Sequence, residues 1–345
     1  MAAKTERNYG ISLLRVLGML AIVLCHVTGW LGIAMLEQLF ASGVYVFLLI
    51  SGYLYGRKDI PHPGAWFLSR LKKLLIPYYL FVIPVILFYI FCPGEQILTW
   101  WHCVVYLLCL QGLPFLTNIV SVPEIPSLGN IWFLTVIPMC YGLTILVKCI
   151  EKRHPAKAQV VIPLLVAAWL IPTLVQYFSL PYVSLYYFVT FFIGYYLSYF
   201  RARLDSLPHH ILCGWMLLIL SVLYRLVGKF FFDNQQYGGL YDIIVVLSQI
   251  GMAVASLFIV CYLAGRFPIL QRLAQSRLWS FCDKYSYIIY ITHYAFLNSI
   301  TSVDRFGFGR SVSLLLFVGM VAAATALVAL GEHGLLRLFS RKKPS

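Results

Sequence analysis

Arg15 and His26 stand eleven residues apart in an apolar run from Ile11 to Ile33. On an α-helix, eleven residues turn about 20° past three full turns and rise about 16 Å, so both side chains share one stripe. A fixed cation at one end and a tunable proton acceptor at the other suit an anionic substrate and general-base chemistry. They also suit a plainer arrangement, in which the arginine reaches for headgroups and the histidine bonds a neighbouring carbonyl. His293 stands in another apolar run, 285–302, with Ser286, Tyr287 and Tyr290 near the same face. It is expected about 12 Å into that helix. Glu332 and His333 close the last run, where the carboxylate is placed to pair with Arg15 or to reach the interface. Ionisable residues within apolar runs are costly and mark function by default.

Other polar positions carry weaker signals. Ser51-Gly52 ends the second apolar run. Ser51 has no adjacent base, and small residues there serve close helix packing. Trp132, in Asn130-Ile131-Trp132, suits an interface anchor, and Arg225 is placed to snorkel from the outer end of its run. Nine cysteines, most inside apolar runs, form no Cys-x-x-Cys and no Cys/His pair at zinc spacing, so no metal site is expected.

The elements that must position these residues follow from composition. Of 345 residues, 61% are apolar and 11% charged, with mean hydropathy +0.85. Soluble domains carry about 25% charged residues. The balance excludes a soluble enzyme, a secreted disulfide scaffold and a nucleic-acid-binding domain, despite a net charge of +14. It implies an all-α polytopic membrane protein, with the charge lying in loops that set orientation. No attached soluble domain is expected, and residues 1–345 read as one integral membrane domain with its core at 7–336.

Eleven candidate helices fall at 10–32, 39–56, 74–92, 97–116, 130–149, 159–177, 183–200, 210–230, 242–264, 285–302 and 311–336. The first is long for a signal peptide and reads as a retained span. Cations cluster at 57–73, 148–157, 201–203, 266–284 and 337–343, and the positive-inside rule puts all of these, with both termini, in the cytoplasm. Residues 73 and 148 then share a side, yet three candidates lie between them. One must be re-entrant or interfacial, and 97–116, with its polar residues and Pro114, is the weakest. The expectation is ten spans plus a non-spanning element between 93 and 129. Residues 64–73 read as a short basic amphipathic segment that precedes the span beginning at 74.

In order along the chain, these residues resemble the acyltransferase 3 family of integral membrane acyltransferases. Arg15 and His26, ten residues between them, match its Arg-x10-His signature. Phe47-Leu-Leu-Ile-Ser51-Gly52-Tyr53 is similar to its second-span motif. Phe67-Leu-Ser-Arg70-Leu-Lys72-Lys73 through Pro77 is similar to its basic stretch before a proline. Ile131-Trp132-Phe133-Leu134 and Tyr285-Ser286-Tyr287 through Tyr290-Ile-Thr-His293 resemble two further elements, and Glu332 occupies the place of its late glutamate. The chain departs from the pattern at Lys73, usually arginine, at Asn130, often histidine, and at His333 after the glutamate.

The resemblance implies transfer of an acyl group, usually acetyl, from cytoplasmic acyl-CoA to a hydroxyl of a surface or lipid-linked carbohydrate, in the plasma membrane of a bacterium. It implies His26, His293 and Glu332 as catalytic or supporting groups. Arg15, Ser51, Arg70, Lys73 and Trp132 become contacts to the substrates, with Arg70 and Lys73 rather than Lys72 serving acyl-CoA. Acyl-CoA is a substrate, and no permanently bound cofactor is implied. The same intramembrane polar residues also suit a transporter of a small polar solute or glycan.

Overall fold

A computed structural model describes residues 8–92, 98–113, 125–153, 186–205, 209–232, 238–298 and 301–341. Among these residues are twelve α-helices and no strand. In chain order they are α1 (Tyr9–Trp30), α2 (Ala34–Phe40), α3 (Ser42–Gly56), α4 (Pro63–Phe91), α5 (Trp100–Leu107), α6 (Phe133–Arg153), α7 (Tyr186–Asp205), α8 (His210–Val227), α9 (Gly238–Arg266), α10 (Pro268–Gln275), α11 (Arg277–Thr292) and α12 (Arg310–Arg341). Short 3-10 turns cover Pro126–Trp132, His293–Phe296 and Val303–Phe306.

Seven described stretches are long and apolar enough to cross a membrane: Tyr9–Trp30, Ala34–Gly56, Pro63–Phe91, Pro126–Arg153, His210–Phe231, Ile243–Arg266 and Arg310–Leu338. The chain is a multi-pass membrane protein. Helix α8 displays the inverted amphipathicity that lipid demands. Leu212, Met216, Ile219, Leu220 and Leu223 are exposed along one stripe, while Gly214, Ser221 and Arg225 are buried on the other face. Arg225 is 5% exposed, so it does not snorkel as its position in the sequence suggested.

Several expected boundaries move. The second span begins five residues early, as α2, and breaks at Ala41 before α3. The basic segment 64–73 is not a separate element but the first turns of the 29-residue α4, which contains Pro77 and Pro84. Proline removes a ladder hydrogen bond, and in a membrane the freed backbone groups must be satisfied by neighbours. Next to the Lys73 carbonyl that Pro77 leaves without its ladder donor, the Tyr287 hydroxyl donates to the Leu74 carbonyl at 2.9 Å. The expected span 285–302 is not one helix. Its helical part starts earlier, at Arg277, and ends at Thr292. The candidate at 183–200 appears as α7, which is not among the seven stretches and whose last turns carry Arg201 and Asp205. Candidate 159–177 lies outside the described residues.

The stretch expected not to span contains α5, whose eight residues rise about 12 Å, well short of a bilayer. Side chains from neighbouring helices hold its irregular backbone. Tyr78 and Tyr79 of α4 donate to the carbonyls of Tyr106 and Leu107, groups a helix C-terminus leaves open. Thr135 of α6 donates to Cys109 O and accepts from Gly112 N.

Packing groups the chain into two compact units. The first holds α1–α3, α7–α10 and α11 up to Ser286; the second holds α4–α6, α11 from Tyr287, and α12. In the first, α3 and α7 meet almost backbone to backbone. A Cβ on Gly52 would lie 1.8 Å from Phe191 O, and one on Gly56 would lie 2.1 Å from Tyr195 O. This is the small-xxx-small spacing that lets membrane helices approach. Gly52→Ala is therefore expected to destabilise the protein by more than the usual overpacking cost of about 1–3 kcal/mol. The check is thermal unfolding in detergent, and an unchanged midpoint would contradict the close approach.

Candidate active site

In the first unit, α1 carries both members of the arginine–histidine stripe. Asn8 caps the helix, its side chain accepting from Ile11 N at 3.1 Å. Arg15 Nη1 donates to Asp283 Oδ1 of α11 at 2.6 Å, and Ser12 Oγ donates to Asp283 Oδ2, also at 2.6 Å. Ser12 and Arg15 are three residues apart on one face, so a single turn of α1 takes both carboxylate oxygens. The Asp283 side chain is 10% exposed and that of Arg15 33%, which leaves part of the guanidinium accessible.

The carboxylate that answers Arg15 within the first unit is thus Asp283, a residue the sequence did not single out. Asp283 lies beside Lys284 in 266–284, which its cations mark as a cytoplasmic loop, and that stretch is largely α10 and α11. The available signal was a carboxylate three residues before Ser286; it is the seventh residue of α11.

His26 lies eleven residues on from Arg15 and is half-buried. Ser51 is half-buried on α3, beside the glycine that meets α7. These three expected site residues, with Asp283, belong to the first unit.

The other five belong to the second. His293 is 0% exposed and opens the 3-10 turn that follows α11. It therefore sits just past the end of that helix rather than within a longer one. Its Nδ1 lies 2.8 Å from Tyr290 O and 3.2 Å from Ile289 O. Both partners are acceptors, so Nδ1 carries the proton of the neutral ring and Nε2 carries the lone pair.

Asn130 shares that anchor. Its Nδ2 donates to Tyr290 O at 2.6 Å, and the Tyr290 hydroxyl donates back to the Asn130 carbonyl. The pair forms a buried two-way clamp between the Pro126–Trp132 turn and α11, and one carbonyl receives both Asn130 and His293. In the sequence Asn130 reads as part of an interface anchor beside Trp132 and as a departure from the family pattern; periodicity gives no sign that it grips a tyrosine 160 residues away.

Trp132 is half-buried, packed edge-to-face on Phe133, which in turn meets Tyr290. Glu332 of α12 is half-buried within electrostatic reach of the Tyr287 phenol. On α4, Arg70 is half-buried with its guanidinium 6.0 Å from the Trp66 ring centroid, while Lys72 and Lys73 are exposed.

The second unit therefore brings together His293, Tyr290, Tyr287, Asn130 and Glu332, a set of polar groups around the end of α11. The first brings Arg15 to Asp283 and Ser12, with His26 farther along the same helix. A family model described as an acyltransferase domain matches residues 8–331. No curated protein and no solved structure matches the chain.

Proposed function

The chain belongs to the acyltransferase 3 family, and from that premise we propose that it moves an acyl group, acetyl in the first instance, from cytoplasmic acyl-CoA to a hydroxyl of a surface or lipid-linked carbohydrate. The observation that carries this reading is the match over residues 8–331, which takes in Arg15, His26, Asn130, His293 and all but the end of α12. The setting is a bacterial plasma membrane, with both termini in the cytoplasm.

A sugar hydroxyl is a weak nucleophile near neutral pH. In the proposed reaction His26 takes its proton, the hydroxyl oxygen forms a bond to the thioester carbonyl carbon, and the carbon–sulfur bond breaks. The coenzyme A thiolate leaves and takes up the proton, so the products are an ester and free coenzyme A. An apolar bundle keeps water from competing for the acyl group. Coenzyme A carries several phosphate charges, for which Arg15, Arg70 and Lys73 are the assigned contacts. Ser51 and Trp132 are assigned to substrate binding. His293 Nε2 and the Glu332 carboxylate are supporting acceptors of hydrogen bonds. Acyl-CoA enters as a substrate, and the chemistry calls for no resident cofactor.

Sidedness tests the reading. Inside-out vesicles given radiolabelled acetyl-CoA are expected to acylate their own glycans, and sealed right-side-out vesicles are not. Equal labelling of both would refute cytoplasmic donor entry. Movement of a glycan across the membrane with no consumption of acetyl-CoA would instead favour a transporter.

A further inference from the structure

Two buried amide oxygens without donors and one half-buried carboxylate lie near His26. Gln249 of α9 is 1% exposed. Its Nε2 donates to the Gln38 carbonyl of α2 at 3.0 Å, which fixes the orientation of the amide. Its Oε1 is buried with no hydrogen-bond partner, and so is Oε1 of Gln38. The neighbouring Glu37 forms no ion pair among the described residues, and an ionised carboxylate only accepts. Within a membrane an unmet buried polar group is expensive, and two such acceptors beside a half-buried carboxylate point to a ligand that brings donors.

Their position relative to His26 follows from the packing. A Cβ on Gly29 would lie 2.9 Å from the carboxyl carbon of Glu37, so that carboxylate rests on the bare surface of α1 at residue 29. Gly29 is three residues past His26, and positions so spaced are neighbours about 5–6 Å apart on one helix face. Glu37 is also within electrostatic reach of Cys25. Helix α9 meets α1 where Gly10 touches Cys261. For antiparallel helices, counting twelve residues along each puts Gln249 level with Ile22, about 6 Å along the axis from His26.

We infer that Glu37, Gln38 and Gln249 form the subsite for a polyhydroxylated acceptor, a glycosyl unit whose hydroxyls donate to these three groups while one hydroxyl is presented to His26. This rests on the acyl-transfer reading for the identity of the acceptor, but not for its binding. A neutral polyol fits better than a cation, because only one of the three acceptors is charged.

The test is thermal unfolding of the purified full-length protein in a detergent without sugar. The probes are methyl β-D-glucopyranoside and methyl β-D-galactopyranoside, with ethanolamine and sodium acetate as controls and coenzyme A in a separate arm. At least one glycoside is expected to raise the unfolding midpoint, with ethanolamine and acetate inert. Gln249→Met keeps length and removes the acceptor. It is expected to weaken the glycoside response about tenfold in concentration, one lost buried hydrogen bond's worth, and to keep the coenzyme A response. Glu37→Gln, a half-buried isosteric change, serves as the second variant if Gln249→Met does not fold.

A coenzyme A response without any glycoside response would overturn the subsite and leave the donor reading intact. A glycoside response equal in wild type and both variants would overturn the residue assignment. A stronger response to ethanolamine would overturn the ligand class. A glycoside response lost in the variants, with coenzyme A inert throughout, would uphold the subsite and remove the donor reading alone.

Discussion

His26→Ala is expected to lower acyl transfer by about a hundred- to ten-thousandfold, the contribution of a positioned general base. The side chain is half-buried on α1, outside the tightly packed core cluster that Ile11 and Leu14 form with α3 and α9. The variant should therefore fold, and its unfolding midpoint should stay close to wild type. The loss belongs in kcat rather than in the KM for acyl-CoA, because the base acts on the acceptor hydroxyl. His26→Gln, which keeps hydrogen bonding but not basicity, should be nearly as inactive. Single-turnover transfer from labelled acetyl-CoA, measured beside the unfolding midpoint, checks this. Full activity in well-folded His26→Ala would remove the residue from the mechanism.

Arg15→Ala should be similarly severe, for two separable reasons. One is structural. Asp283 is nine-tenths buried, and removing its partner leaves a carboxylate without its countercharge. For a fully buried pair that costs about 3–5 kcal/mol; here Arg15 is one-third exposed, so the penalty is smaller. The other is functional, the loss of a guanidinium that meets the anionic donor. The double variant Arg15→Ala/Asp283→Ala divides the two. It should recover much of the lost stability while the KM for acetyl-CoA stays raised. Arg15→Lys should be stable yet only partly active, since a point charge replaces a planar fork. A wild-type KM in the double variant would make the arginine purely structural.

Residues 10–32 already display the Arg15–His26 stripe, because helical spacing is local and an apolar run of that length has no alternative in a bilayer. The membrane class followed from composition for the same reason: too few polar residues exist to cover a soluble surface. Charge asks for one element between 73 and 148 that does not cross, since loops on one side must enclose an even number of crossings, and the polar residues and Pro114 of 97–116 single out the stretch in which the short α5 lies.

What packing decided lay beyond any local pattern. Asp283, 268 residues from Arg15, became its partner only because α11 crosses α1 at the Ser12–Arg15 turn. Helix α4 runs through Pro77 with a tyrosine 213 residues away answering the Leu74 carbonyl. His293 lies past the end of its helix, held with Asn130 on the Tyr290 carbonyl, where hydropathy continues smoothly to residue 302. Hydropathy records which segments leave water. Which polar side chain answers which is set by the contacts between helices, because in a membrane every buried polar group must find its partner inside the protein, at whatever distance along the chain that partner lies.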